Sequence, residues 1–423
     1  MLNSIVNFLK SLKPEIIIQA PSRINLINPL DAVEADFWMP AVAINGIENP
    51  LSVFLYIKKA KNLSRFRIYK INKNSKGYNF EIDTEKEVNK NMEDLKEKCL
   101  GECGLIYASI FRLSNMSAWF WEKFKEQNIE FGLINTIPRQ SGLGGSAAII
   151  ISILYGFSHY FNIFNNFSNL AENEFPINKD IIAEMATKVE DEDLKITAGY
   201  SDRYVISRGG LSFCSYYGKL FHKNISKEPL AVYDRIDEIY NINELPIILC
   251  YSGVVHESGS VHDKLRKLYL QDESTILKNY EKLAKIAWQA RFALMKKDWK
   301  QLGEYFKLNT QIMNLIMRNA GFQYGIGLAN NILISLIENH PDVYAAKLTG
   351  AGGGGSVFAL VKPNKIENIL LNWKENLNNL VNNVQLFKSR FPNYPLDIRA
   401  QLKNAEFYRI KICTKGVSII EKN

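Results

Sequence analysis

The sequence predicts a two-part fold that mixes α-helices and β-strands, and three observations carry that expectation. First, 423 residues with 47% hydrophobic and 23% charged side chains suffice for two cored domains, or for one large domain with insertions. Second, short runs of β-branched and aromatic residues alternate with longer helical patterns. Third, two glycine-rich stretches interrupt apolar segments, and one of them follows a strand-like run and opens a helix-like one.

Taken in chain order, Glu15 to Ala20, Leu51 to Lys58 and Phe66 to Ile71 read as strands, with Asn72 to Gly77 as a polar turn. Residues 84–98, crowded with Glu, Lys, Asn and Asp, read as an exposed helix or insertion. Ala118 to Gln127 carries Trp119, Phe120, Trp121 and Phe124 at the spacing of a packed amphipathic helix, which outweighs a cofactor-stacking role. Glu130 to Asn135 reads as a strand feeding RQSGLGGSAAIIISIL, whose apolar end is an inward-facing helix. A strand over Gly209 to Lys219 followed by a Lys/Glu/Pro turn suggests a boundary near residue 228, and so domains of 1–228 and 229–423. Beyond it, Pro246 to Tyr251 is a buried strand, Asp272 to Lys297 and Trp299 to Arg318 are helices, and Ala345 to Thr349 leads into GAGGGGSVFALV. No internal repeat and no Pro/Ser-rich linker interrupts this order.

Composition narrows the function classes. The net charge of +8 is mild and spread along the chain, and no aromatic and basic interleaving suggests a single-strand nucleic-acid binder. A small anionic substrate fits that balance. Five cysteines, Cys99, Cys103, Cys214, Cys250 and Cys413, without companion histidines, suggest reduced thiols and no structural zinc. Lys10 and Lys13 interrupt the apolar residues at the N-terminus, and Ala147 to Phe157 is too short to cross a bilayer. The expectation is a soluble cytoplasmic protein with neither nucleic acid nor membrane as partner.

The loop of residues 139–146 has the chemistry of an anion seat. A helix N-terminus presents unpaired backbone N–H groups and the positive end of the macrodipole. Gly142, Gly144 and Gly145 leave that backbone open to close approach, and Ser146 would cap the helix or help to hold a metal ion carried by a nucleotide. The Gly-Lys-Ser/Thr ending of a Walker A loop is missing.

Three segments in this order, APSRINLINPLDA (Ala20 to Ala32), PRQSGLGGSAA (Pro138 to Ala148) and KLTGAGGGGSVFAL (Lys347 to Leu360), resemble the three motifs of the GHMP kinases, the galactokinase, homoserine kinase, mevalonate kinase and phosphomevalonate kinase group. The resemblance implies an α+β protein with an N-terminal mixed α/β domain and a C-terminal ferredoxin-like domain. It also implies ATP-dependent phosphorylation of a small-molecule hydroxyl, with Mg²⁺. By the same resemblance, Pro138, Ser141, Gly142, Leu143, Gly144, Gly145, Ser146 and Ala147 form the ATP loop, and Ser146 and Glu190 hold the metal. Asp191, Glu192 and Asp193 crowd that register. Asp202, in an AGYSDR turn leading to a strand, matches the aspartate that faces the acceptor hydroxyl, and Arg23 the basic residue beside it. Gly350, Gly352, Gly353 and Gly354 would line the site from the other domain. The match departs where Asn28, Pro29 and Leu30 replace the Gly-Glu-His of many sugar kinases.

Within the family, IPRQSGLGGSAAI, ITAGYSDR and ESGSVHDKLRKLYL (Glu257 to Leu270) look most like the glucuronokinase branch, which phosphorylates the anomeric hydroxyl of glucuronate. A buried substrate carboxylate needs a cation. Arg203 and Arg139 are the candidates, with Arg318 and Lys264 behind them. Heptose-phosphate kinase and mevalonate kinase remain the alternatives within the family. A catalytically silent sugar sensor and an ATP-using decarboxylase are the alternatives outside kinase chemistry, and the presence of Asp202 argues against the sensor.

Overall fold

A computed structural model describes residues 1–28, 37–74, 77–168, 170, 174, 176–216, 231–254 and 258–423. The expected boundary near residue 228, and Pro29 and Leu30 of the first motif, lie outside the described residues. Thirteen strands are described: β1 (Ile16–Asn25), β2 (Phe37–Gly46), β3 (Ser52–Lys59), β4 (Arg65–Asn74), β5 (Gly77–Glu87), β6 (Ile129–Asn135), β7 (Leu211–Tyr216), β8 (Ala231–Arg235), β9 (Ile247–Tyr251), β10 (Val343–Thr349), β11 (Ser356–Val361), β12 (Glu406–Ile412) and β13 (Ser418–Lys422). They are hydrogen-bonded in the order β10-β11-β9-β12-β2-β1-β3-β6-β4-β5, with β13 on β1 and the β7–β8 pair on β2.

The first half is built around β1, which changes partners midway. Ile16 to Pro21 pair with β3, and Ser22 to Asn25 pair with β2. Its first half is apolar on both faces because both are covered. Ile16 and Ile18 enter the main core, while Ile17, with Phe54, Tyr56 and Ile134, packs under the N-terminal helix Leu2–Ser11 through Ile5 and Leu9. On the main-core side lies the helix Gly145–Tyr160, whose Ile150, Ile151, Ile153 and Leu154 are fully buried. Phe120 and Phe124 of the helix Ala118–Glu126 stack in the same layer against Phe157 and Phe161. That whole cluster is core, as the spacing of its aromatics predicts.

The second half is ferredoxin-like. Strands β9, β10, β11 and β12, with helices Ser274–Met295 and Trp299–Asn319 before β10 and Ile366–Asn382 before β12, form an antiparallel β-α-β-β-α-β sheet ordered β10-β11-β9-β12. Residues beyond 361, to which the third motif assigns no role, complete this sheet. Glu406 to Arg409 pair with β9, and Ile410 to Ile412 pair with β2. A single strand therefore bonds to both halves.

Several local expectations are corrected. Residues 84–98 split between the end of β5 and a helix, Met92–Lys98, because the alternating exposure of β5 hides a strand period inside a charged run. The polar turn is confined, since β4 continues to Asn74 and β5 resumes at Gly77. Asp202 lies in the first turn of a helix, Ser201–Arg208, with the following strand starting only at Leu211.

Candidate active site

The two glycine-rich loops touch each other and together help to line a cleft of about 570 Å³, within the ordinary size range of a small-molecule site. Its lining includes the apolar Ile68, Leu105, Pro138, Ile149 and Ile196, which suit a planar base. It also carries the polar and charged Arg23, Asp202, Arg203, Glu190 and His262.

Asp202 and Arg23 are brought together as the sequence suggests. Arg23 sits within β1, buried to 5% exposure. Its guanidinium pairs with Asp202 Oδ2 and donates to the carbonyl of Gly142, so one side chain joins the carboxylate to the loop. The other carboxylate oxygen accepts from Asn25 Nδ2 at 2.9 Å. Burial pushes the Asp202 pKa up, but the charge and hydrogen bond of Arg23, with the bond from Asn25, outweigh it and hold the carboxyl below its ordinary value. The nearby helix N-terminus acts in the same direction. Asn25 is a site residue that sequence reasoning missed; its place two residues after Arg23 on the same face of β1 is the signal that would have found it.

The loops are locked by backbone contacts. At Gly142, with φ of 70°, a Cβ would stand 2.8 Å from the carbonyl of Thr349. At Gly355 it would stand 2.7 Å from the carbonyl of Ser141, which also accepts from Ser356 Oγ at 2.8 Å. Side chains at these positions would push the loops apart. Of the second loop, Gly350 lines the cleft, with Ala351. Gly353 N–H donates to Ile326 at 2.8 Å, the Gly354 carbonyl accepts from Asn330 at 3.1 Å, and Gly352 lies against Ile326, so these three build the loop instead of lining the cleft. Of the first loop, Pro138, Arg139, Ser141, Gly142, Gly144, Gly145, Ser146 and Ala147 line it. Leu143 is fully buried, and its carbonyl accepts from Arg23 N–H at 3.2 Å and Ser22 Oγ at 3.1 Å.

Ser146 is exposed and makes no capping bond; Gly144 is the N-cap. Glu190 lies in a π-turn, Val189–Asp193, where the wider winding separates four consecutive acids. Arg266 pairs with Asp191 at 2.8 Å, Arg112 with Glu192 at 2.9 Å and Asp193 at 2.7 Å, and Arg203 with Glu190. Of the four, Glu190 lines the cleft. Among the described residues no three His, Cys, Asp or Glu side chains are arranged to cage a metal. Magnesium takes one or two protein oxygens beside phosphate and water, and Ser146 with Glu190 fits that donor set.

The remaining cations differ in availability. Arg203 is 7% exposed and held by Glu190 and, at 3.0 Å, by the carbonyl of Gly199. Arg139 is exposed at the cleft rim and makes no ion pair among the described residues. Lys264 lies over the Phe322 ring at 5.0 Å, and neither it nor Arg318 lines the cleft. His262, in the helix Ser258–Leu270, does line it, although the sequence reading gave this residue no role.

A buried aspartate held by an arginine, beside a helix-opening glycine loop and a glycine loop from a ferredoxin-like half, is the arrangement that the resemblance to the GHMP kinases implies. In this chain residues 111–210 match the GHMP kinases N terminal domain and residues 291–379 the GHMP kinases C terminal domain. It is similar to Glucuronokinase 1 of Arabidopsis thaliana, 27% identical over 248 residues, 57% of this chain and 60% of that protein. It is also similar to D-glycero-alpha-D-manno-heptose 7-phosphate kinase of Campylobacter jejuni, 25% identical over 252 residues, 58% of this chain and 66% of that protein. The matched stretch thus spans less than two thirds of either relative. In fold, it superposes on the Lactococcus lactis galactokinase complexed with galactose with a TM-score of 0.60 at 15% identity, over 99% of this chain and 100% of that one. No helix among the described residues is long and apolar enough to cross a membrane.

Proposed function

We propose that the protein transfers the terminal phosphoryl group of ATP to a hydroxyl of a small anionic sugar, with the anomeric hydroxyl of glucuronate as the acceptor. The observation that carries the reading is Asp202, buried, ionised and aimed into the cleft between the two glycine loops. Phosphoryl transfer has a loose transition state, so positioning and charge neutralisation supply most of the catalysis. Asp202 orients the acceptor hydroxyl and takes its proton late. Backbone N–H groups from Gly142 to Ser146 receive the nucleotide phosphates. Mg²⁺ held by Ser146 and Glu190 would neutralise phosphate charge. Arg203, which pairs with Glu190, would share that carboxylate with a bound metal. The reading extends to a reducing cytoplasmic setting, supported by five cysteines with no disulfide.

Uronate selectivity draws support from similarity to a glucuronokinase and from Arg139, whose guanidinium is open to a substrate anion. The test is ATP turnover against glucuronate, glucose, a heptose phosphate and mevalonate. Glucuronate is expected to exceed glucose in kcat/KM by about ten- to a hundredfold, the worth of a charged hydrogen bond of roughly 1.5–3 kcal/mol. Arg139→Ala should shrink that gap. Equal rates on both sugars would remove the uronate, and preference for a heptose phosphate would put a phosphate in its place. Asp202→Asn should lower kcat by about a hundred- to ten-thousandfold while ATP affinity is retained. Near-normal turnover in that variant would remove Asp202 from the mechanism.

A further inference from the structure

His262 is an ionisable side chain in the cleft that the proposed mechanism leaves unused. It lines the same cleft as Asp202, near enough for the two to act on each other electrostatically, and its Nδ1 is buried without a hydrogen-bond partner. Such an atom is costly to leave uncompleted, and a cleft is where a ligand would complete it. The charged groups facing it are engaged with other partners: Asp202 with Arg23 and Asn25, Arg203 with Glu190, and Arg266 with Asp191. Burial pushes the His262 pKa down to about 4; the pull of Asp202 opposes that shift, and Arg203, Arg266 and Arg23 add to it. At neutral pH the ring is therefore neutral, one nitrogen donating and the other accepting. A carboxylate or phosphate only accepts, and beside Asp202 it would meet like charge. A hydroxyl both donates and accepts, and carries no charge.

Resting on the phosphotransferase reading, we infer that His262 binds an acceptor hydroxyl adjacent to the one that is phosphorylated. The acceptor class is then a vicinal diol, as in a sugar ring, and a chain alcohol without neighbouring hydroxyls is excluded. The anionic group of the acceptor lies elsewhere, towards Arg139.

The experiment compares glucuronate with its 2-deoxy analogue on the wild type, His262→Phe and His262→Gln. The wild type should lose at least about tenfold in kcat/KM on the 2-deoxy sugar. His262→Phe should lose that discrimination, with the KM for ATP unchanged, and His262→Gln should retain part of it. Equal discrimination in the wild type and His262→Phe overturns the inference. A second readout is independent of turnover. In protein carrying ¹³C-labelled histidine, the signal that disappears in His262→Phe should shift on adding glucuronate and stay still on adding mevalonate. No shift with glucuronate overturns the inference. A shift without phosphorylated product from the wild type leaves His262 as a sugar-binding residue and overturns the phosphotransferase reading alone.

Discussion

Arg23 carries two duties with one guanidinium, neutralising Asp202 and fastening the Gly142 carbonyl. Removing one partner of a buried pair leaves the other charge uncompensated, at a cost of about 3–5 kcal/mol. Arg23→Met should therefore lower Tm most at neutral pH. In the wild type the depressed Asp202 pKa contributes stability that is present above the ordinary aspartate value and lost as pH falls through the lower folded-state value. Without Arg23, burial alone would raise that pKa, so the penalty should shrink as the medium is acidified and Asp202 protonates. Thermal melts of both proteins from pH 3 to pH 8 check this; a deficit independent of pH would mean that Arg23 acts by packing. At this scale the sequence was informative where a motif fixed the register. Arg23 and Asp202 were legible; Asn25 was signalled only by its alternation with Arg23 on β1, and His262 acquires its place beside Asp202 from the fold. Arg203 was legible as a cation in the site, but its pairing with Glu190 depends on the π-turn, which no pattern in the sequence announces.

Elements with strong periodicity were read nearly to their ends, as in Ser274–Met295 and Trp299–Asn319. The strands missed include β2, which contains Pro40, β8, and β12 and β13, which are short and polar on one face, and the end of β5 was read as helix. Strand β10 holds an anomaly of its own. Lys347 is fully buried, its ammonium donating to the Leu348 carbonyl at 2.7 Å and lying 4.9 Å from the Phe358 ring centroid. Burial pushes its pKa down to about 7. Above that pH the unfolded chain holds the proton that the folded one has released, so stability rises as pH increases from about 7 to the ordinary lysine value near 10.4. Lys347→Met should raise stability at neutral pH and remove a slope worth a few kcal/mol over that interval (about 1.4 kcal/mol per pH unit). Urea titrations at pH 7 and pH 9.5 measure it. The same slope in both proteins would mean that the ammonium stays protonated in the folded state.

At the scale of the molecule, the two-part plan was legible from length and the two glycine loops, but the join was not. A strand bonded to β2 at one end and β9 at the other makes the halves parts of one sheet. Deleting residues 403–423 removes β12 and β13 together and should abolish cooperative folding of both halves, not of the second alone. Circular dichroism and size-exclusion chromatography would register that loss. A truncated chain with an intact, separately melting first half would show that the sheet is divisible.

The position of β12 in the chain also bears on how the protein is made. Translation, at roughly 5–20 residues per second, reaches it tens of seconds after β2 has emerged. Throughout that interval β2, and from its own synthesis onwards β9, presents a strand edge awaiting its neighbour, the kind of surface that pairs with other chains. The nascent polypeptide thus passes through a long window in which it is adhesive. A cell making it quickly would depend on chaperones that shield those two edges until β12 has emerged.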